Sequence, residues 1–269
     1  MRKRGIMKYI QIICVLILSA CSQTKQKEVD NDHLKQVFIT YSQPVNGYKV
    51  SVACTINKNH IDDPNTIWGE GELIFKNEKH ELIVKNPSFS DENLYHYKRP
   101  LQNMAKIETD YTDYKMDDDG TWGGNRSPFF FFDIDFDGNK ELIVCLWGSM
   151  GYREHHAYQA YKINMPEGRH ILSPMQQEPF NELDDYTVID SINKKIIIPV
   201  GVDLKMGGSK IYGLSGSEIV LEEIEEYKWR HTDGIKYIWC APTIYYYKMI
   251  DGEKTLVKID RCPNDTLNE

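Results

Sequence analysis

The nine residues from 133 to 141 constrain the fold more than any other part of this chain. They read Asp-Ile-Asp-Phe-Asp-Gly-Asn-Lys-Glu, with oxygen-bearing side chains at alternate positions and a glycine after the third aspartate. An apolar run, 128–132, comes directly before this segment, and a second run, 142–147, follows it. Because short apolar runs bounded by turn residues are typical of buried strands, the segment predicts a strand-loop-strand unit.

The composition of this loop predicts a calcium site. Ca²⁺ prefers about six to eight oxygen ligands, and the turn that Gly138 permits allows the aspartates to converge on one ion. The predicted ligands are Asp133, Asp135, Asp137, the backbone carbonyl of Asn139, and the carboxylate of Glu141. The ion would be structural, because it would fasten two strands to each other.

The same loop lacks the residue that completes an EF-hand. Its twelfth position, counted from Asp133, is Val144, where an EF-hand carries a bidentate glutamate. The sequence therefore argues against a helix-loop-helix calcium sensor. The alternative is an acidic surface turn without metal, in which three carboxylates at this spacing would repel one another.

Hydrophobic alternation with a period of two dominates the rest of the chain. Segments of this kind lie at 36–41, 48–56, 66–75 and 81–85. A second block of predicted strands lies at 157–163, 195–199 and 210–214, and 235–248 and 254–261 form a closing hairpin. The segment 218–229 fits both strand and helix templates, and its short β neighbours favour a strand. The expected fold class is all-β, a sandwich-like or propeller-like body of short antiparallel strands with one strand-loop-strand calcium loop.

The first residues of the chain predict export and lipidation. Four basic residues precede the apolar run 9–18, which is shorter than a membrane-spanning helix requires. The run ends in Leu18-Ser19-Ala20-Cys21, a quartet that resembles the bacterial lipobox. That resemblance implies cleavage before Cys21 and acylation of this residue, so that the mature protein is anchored in a membrane of the bacterial envelope. Ser22 permits transfer to the outer membrane but does not determine the leaflet in which the protein is anchored. The alternative to a cleaved signal peptide is a signal anchor.

These patterns divide the chain into three segments. Residues 1–20 are the predicted lipoprotein signal peptide, 21–35 the lipidated cysteine and a polar tether, and 36–269 a β-rich domain in which 87–125 is a candidate sub-boundary. Removal of residues 1–20 takes away four of the 32 basic residues and none of the 40 acidic ones, so the mature charge is −12. A nucleic-acid partner is not expected, because phosphate backbones are bound by clustered lysine and arginine.

Export would place the cysteines of the domain in an oxidising compartment. A three-residue loop, 250–252, would pair Met249 with Glu253. The same register would bring Cys240 opposite Cys262 across the closing hairpin, at a separation compatible with a disulfide. A two-residue loop shifts the register by one residue and weakens this pairing.

A wider resemblance begins in the same loop. The segment 133–138, the break Gly148-Ser149-Met150-Gly151 and the strand Tyr158-Gln159-Ala160-Tyr161 resemble a family of exported β-rich lipoproteins, and the strand-loop-strand frame is similar to that of FG-GAP and VCBS repeat proteins. The resemblance covers roughly residues 125–165. Members of that lipoprotein group include immunity-type inhibitors of peptidoglycan hydrolases. Glu141 stands where these loops usually carry aspartate, which implies weaker metal binding.

We expect a binding protein rather than an enzyme, since no catalytic constellation stands out. The first hypothesis is a membrane-anchored, calcium-stabilised inhibitor of a cell-wall hydrolase, with an acidic surface that steers it toward a basic enzyme such as a lysozyme. The second is a glycan-binding accessory module or a degenerate glycoside hydrolase. For this second role, 17 tyrosines and five tryptophans could supply stacking side chains.

Overall fold

The computed structural model describes residues 34–57, 67–91, 94, 104–113, 120, 127–150, 153–203, 206–228 and 242–261. The chain divides into two compact units, Met1–Leu34 and Lys35–Glu269, and the strands lie in the second apart from Leu34, which begins the first strand. Pro166–Gly168 forms a 3₁₀ turn, and the described residues contain no helix that is long and apolar enough to cross a membrane.

Fifteen strands in this part of the chain form three sheets. The N-terminal sheet consists of β1 (Leu34–Tyr41), β2 (Lys49–Asn57), β3 (Trp68–Lys76), β4 (Glu81–Ser90) and β5 (Lys106–Thr109), in the order β4-β3-β2-β1-β5. The central sheet consists of β6 (Phe129–Phe132), β7 (Glu141–Met150), β8 (Arg153–Asn164) and β9 (Ile171–Pro174), in chain order. The C-terminal sheet consists of β10 (Val188–Asp190), β11 (Lys195–Asp203), β12 (Met206–Ser215), β13 (Glu218–Lys228), β14 (Thr243–Ile250) and β15 (Glu253–Asp260), also in chain order.

The central sheet contributes side chains to two separate core clusters. On one face, Phe129 and Phe131 pack with buried residues of the N-terminal sheet. On the other face, Phe130 packs with buried residues of the C-terminal sheet, among them Ile196 and Tyr212. Both faces are therefore apolar, which explains why β6 is an unbroken run of four phenylalanines rather than an alternating strand. The predicted all-β, sandwich-like fold is confirmed.

Most of the predicted strands are present, and in the ambiguous segment 218–229 the described residues Glu218–Lys228 form a strand, β13. The predicted antiparallel arrangement is wrong at one place. Within the irregular stretch 87–125, the short strand β5 pairs in parallel with β1, and Ile39 lies opposite Ile107. Parallel pairing needs no hairpin turn, so β5 left no turn signal in the sequence.

The closing hairpin differs from the predicted one. Its loop has two residues, Asp251 and Gly252, with φ angles of 52° and 82°, and Ile250 pairs with Glu253. An Asp-Gly pair adopts these positive φ angles readily, and the resulting turn matches the twist of the strands. The predicted three-residue loop is therefore wrong. Cys240 and Cys262 lie outside the described residues, so their disulfide stays a prediction. The register on which that prediction was based differs from the observed one.

Candidate metal centre

The acidic loop closes the hairpin between β6 and β7, as the strand-loop-strand pattern predicts. Phe132 pairs with Glu141 at the base of the loop. Glu141 belongs to the face of β7 that also carries Ile143, and this face packs against the C-terminal sheet. The loop therefore starts and ends inside a sheet that is buried on both sides, and this fixes the positions of its first and last carboxylates.

Hydrogen bonds within the loop orient its carboxylates. The backbone N–H of Gly138, whose φ is 88°, donates to Asp133 Oδ2 at 3.0 Å. The N–H of Asp137 donates to Asp135 Oδ1 at 3.2 Å, and that of Asn139 donates to Asp137 Oδ1 at 2.8 Å. Each aspartate thus uses one oxygen to shape the backbone and keeps its second oxygen for another partner.

Three of the carboxylates converge. Ligand oxygens of Asp133, Asp135 and Glu141 all lie within 4.8 Å of one another. Glu141 is only 1% exposed, and its Oε2 accepts the N–H of Ile134 at 3.1 Å. Asp133 Oδ1 is buried and has no hydrogen-bond partner. A buried carboxylate oxygen without a partner is costly, and a hard cation at this point would satisfy it.

The electrostatics of Glu141 agree with a cation site. Burial raises the pKa of Glu141 from its ordinary value of 4.5 to about 7, and the neighbouring charge of Asp135 acts in the same direction. The N–H of Ile134 and the ammonium of Lys162 oppose this increase without cancelling it. The ionised form of Glu141 therefore lacks sufficient positive charge around it, and a divalent cation would supply that charge.

A lysine contacts the outer side of the loop. Lys162 on β8 donates from Nζ to Asp135 Oδ2 at 2.6 Å and to Asp137 Oδ2 at 2.7 Å. Burial opposes the ionisation of Asp137, but the hydrogen bonds from Lys162 and Asn139 outweigh it and lower the pKa of this carboxyl group. Burial likewise disfavours the charged ammonium of Lys162, yet the two carboxylates outweigh burial and raise its pKa.

The structure brings together three of the five predicted ligands: Asp133, Asp135 and Glu141. Asp137 lies outside this group; its Oδ1 accepts from Asn139 and its Oδ2 from Lys162. The carbonyl of Asn139 stays a predicted ligand. Cys21, the predicted lipidation site, lies outside the described residues.

A cleft adjoins the loop. Asp135 and Lys162 line one side of a cavity of about 570 Å³, together with Asn164 from the end of β8. Glu178 lies on the cleft wall as well, and so does Glu218, at the start of β13 in the C-terminal sheet. This cleft left no signal in the sequence, because its walls come from segments far apart in the chain.

A second polar cluster was also absent from the sequence prediction. His156 Nδ1 lies 2.8 Å from Asp185 Oδ2, and the hydroxyl of Tyr158 donates to Asp185 Oδ1 at 2.7 Å. Burial works against the charge of Asp185, but the hydrogen bonds from His156 and Tyr158 outweigh it and lower its pKa. The cluster ties β8 to the segment before β10. A separation of 29 residues between His156 and Asp185 leaves no local signal for this pair.

Comparisons with known proteins give a fold relationship. No family model matches the sequence, and no curated protein matches it significantly. A solved structure described as a Xanthomonas type IV secretion system related protein has a similar fold, with a TM-score of 0.53 and 14% sequence identity. The alignment covers 82% of this chain and 93% of the Xanthomonas chain. At this identity the similarity shows that the two chains share a fold.

Proposed function

We propose that the acidic loop binds a structural calcium ion. The observation that carries this proposal is the convergence of Asp133, Asp135 and Glu141 around the buried, unpartnered Oδ1 of Asp133. The donors are all carboxylate oxygens, which suit a hard cation and not a soft transition metal. Calcium is favoured over magnesium because it tolerates the irregular, flexible geometry of a loop.

The ion would act on the stability of the domain. It would join the end of β6 to the start of β7, and these strands supply side chains to both core clusters. A cation that binds only the folded chain stabilises it by about 2.7 kcal/mol when its free concentration is 100 times the dissociation constant. Millimolar calcium outside the cell could supply such a ratio.

We further propose that the protein is a lipid-anchored binding protein of the bacterial envelope that inhibits a cell-wall hydrolase. The lipobox-like quartet before Cys21 supports the anchor, and the mature charge of −12 supports a basic partner. No catalytic role is assigned to any residue.

Affinity capture and inhibition test this function together. The full-length chain is immobilised in detergent with calcium, exposed to lysozyme and to other purified wall hydrolases, and eluted with a chelator. We expect stoichiometric capture of one hydrolase and a matching loss of its activity on peptidoglycan at low salt. A chain that binds calcium but neither captures nor slows any hydrolase would refute the inhibitor role and leave the metal site standing.

A second candidate function, glycan binding, is supported by the cleft. Its lining combines amide and hydroxyl groups, from Asn164, Ser173 and Gln177, with the half-buried apolar Ile219, and small-molecule sites likewise place a few polar groups among apolar ones. Isothermal titration with peptidoglycan fragments tests this role, with Gln177→Ala as the variant. Saturable heat that Gln177→Ala reduces would favour glycan binding, whereas a flat titration would count against it.

A further inference from the structure

Lys162 shares a carboxylate with the candidate metal centre. Its Nζ contacts Asp135 Oδ2 at 2.6 Å and Asp137 Oδ2 at 2.7 Å, and Asp135 is also one of the three converging acids. The position of the lysine follows from strand register. Tyr161 on β8 pairs with Leu142 on β7, so the next residue of β8 lies beside the end of the loop.

The ammonium satisfies only part of the loop. Lys162 bonds to Asp135 and Asp137, whereas Asp133 Oδ1 has no hydrogen-bond partner. The single charge of Lys162 therefore faces the loop aspartates and Glu141, which together carry four negative charges when ionised. A divalent cation among the converging acids would balance more of this charge, but it would compete with the ammonium for Asp135.

We propose that Lys162 is a built-in competitor of the divalent cation: its ammonium holds Asp135 and Asp137 while no cation is bound, and it gives up Asp135 when the cation binds. This inference rests on the proposed calcium site. The competition weakens calcium binding to a dissociation constant of about 10⁻⁵ M, at which millimolar calcium outside the cell reaches 100 times that constant. The loop is then empty at the calcium concentrations of the cytosol and filled after export.

The described residues offer a matched control for Lys162. Lys210 on β12 also carries two ion-pair contacts, 2.9 Å to Glu182 Oε1 and 3.6 Å to Glu178 Oε2, and neither acid belongs to the metal group. Its side chain is 25% exposed, compared with 39% for Lys162. Lys210→Met therefore removes a comparable lysine without touching the loop.

Calcium affinity measured by isothermal titration of the full-length chain in detergent tests the proposal. We expect Lys162→Met to bind calcium at least about tenfold more tightly than the wild type, because it removes the competing charge. Lys162→Arg should keep the wild-type affinity within about threefold, and Lys210→Met should leave it unchanged. Adding Asp133→Asn to Lys162→Met should abolish the heat, which places the bound ion at this loop.

Each outcome separates this inference from the calcium site itself. Equal calcium affinity of the wild type and Lys162→Met, or weaker binding by the variant, would overturn the competitor role while the calcium site stands. Binding by Lys162→Met alone would support competition strong enough to mask the wild-type site. Absence of binding by both, with folding verified by circular dichroism, would overturn the calcium site and this inference together.

Discussion

The substitution Glu141→Gln separates two effects of the innermost carboxylate of the loop. Without a cation, the ionised Glu141 is an unfavourable buried charge; with a cation, the same charge is a ligand. Glutamine keeps nearly the same size and an oxygen that can accept the N–H of Ile134, but it carries no charge. The two effects should therefore appear as stability changes of opposite sign in the absence and presence of calcium.

The magnitude follows from the pKa of Glu141. Burial, with a smaller contribution from Asp135, raises this pKa from 4.5 to about 7, which corresponds to about 3 kcal/mol at 1.36 kcal/mol per unit. Because the folded-state pKa is raised, the contribution of Glu141 to the stability of the metal-free protein is fully present below pH 4.5 and is lost as the pH rises from 4.5 through 7. At pH 8 without calcium, Glu141→Gln should be more stable than the wild type by about 2 kcal/mol, since the weaker hydrogen bond from Ile134 offsets about 1 kcal/mol.

Calcium should reverse this order. The wild type gains about 2.7 kcal/mol at 100 times its dissociation constant, whereas Glu141→Gln, deprived of a charged ligand, gains little. Urea unfolding of both full-length proteins at pH 5 and pH 8, in chelator and in calcium, measures these differences. A variant that is less stable than the wild type in chelator at pH 8, or one that gains as much from calcium, would refute the reasoning.

Three other predictions concern the N-terminal sheet. The hydroxyl of Tyr41 donates to the fully buried Asp91 at 2.6 Å, so Tyr41→Phe should lower the free energy of unfolding by about 1 to 3 kcal/mol in urea, and an unchanged value would contradict the role of this bond. A Cβ on Gly71 would lie 2.6 Å from the Cβ of Phe89, so Gly71→Ala should cost about 1 to 3 kcal/mol, seen as a lower melting temperature; an equal melting temperature would mean that Phe89 moves freely. Cys54 is buried and its pKa is raised to about 12, so iodoacetamide at pH 8 should modify it only in denaturant, as mass spectrometry can show; equal labelling of the native protein would contradict its burial.

The fold class could be predicted because strand periodicity is a local signal. Buried residues alternate along β1 and β4, and the unbroken apolar run in β6 belongs to a strand that is buried on both faces. Pairing partners are not local. The parallel contact of β5 with β1 depends on where an irregular segment returns to the sheet, and no spacing in the sequence records this.

The candidate site was only partly predictable, for a related reason. The alternate spacing of acids in 133–141 led to Asp133, Asp135 and Glu141, because the backbone between them forms one tight loop. The same spacing could not reveal that Asp137 is engaged by Lys162, which reaches the loop from a neighbouring strand. Contacts across strands depend on register, and register follows from packing and turn type.

The location of the acidic loop gives a physical reason for a cation. A comparison of two buried carboxylates, Asp91 at 0% exposure and Glu141 at 1%, illustrates this. Asp91 accepts a hydrogen bond from the neutral hydroxyl of Tyr41. Glu141 accepts one backbone N–H, and the charges of Asp135 and Asp137 both oppose its ionisation. Without a cation, the repulsion among these carboxylates would favour local opening of the hairpin between β6 and β7. That opening would expose side chains from both core clusters. A bound divalent ion turns the same repulsion into attraction, so the residues that would weaken the centre of the sandwich without the ion hold it together when the ion is bound.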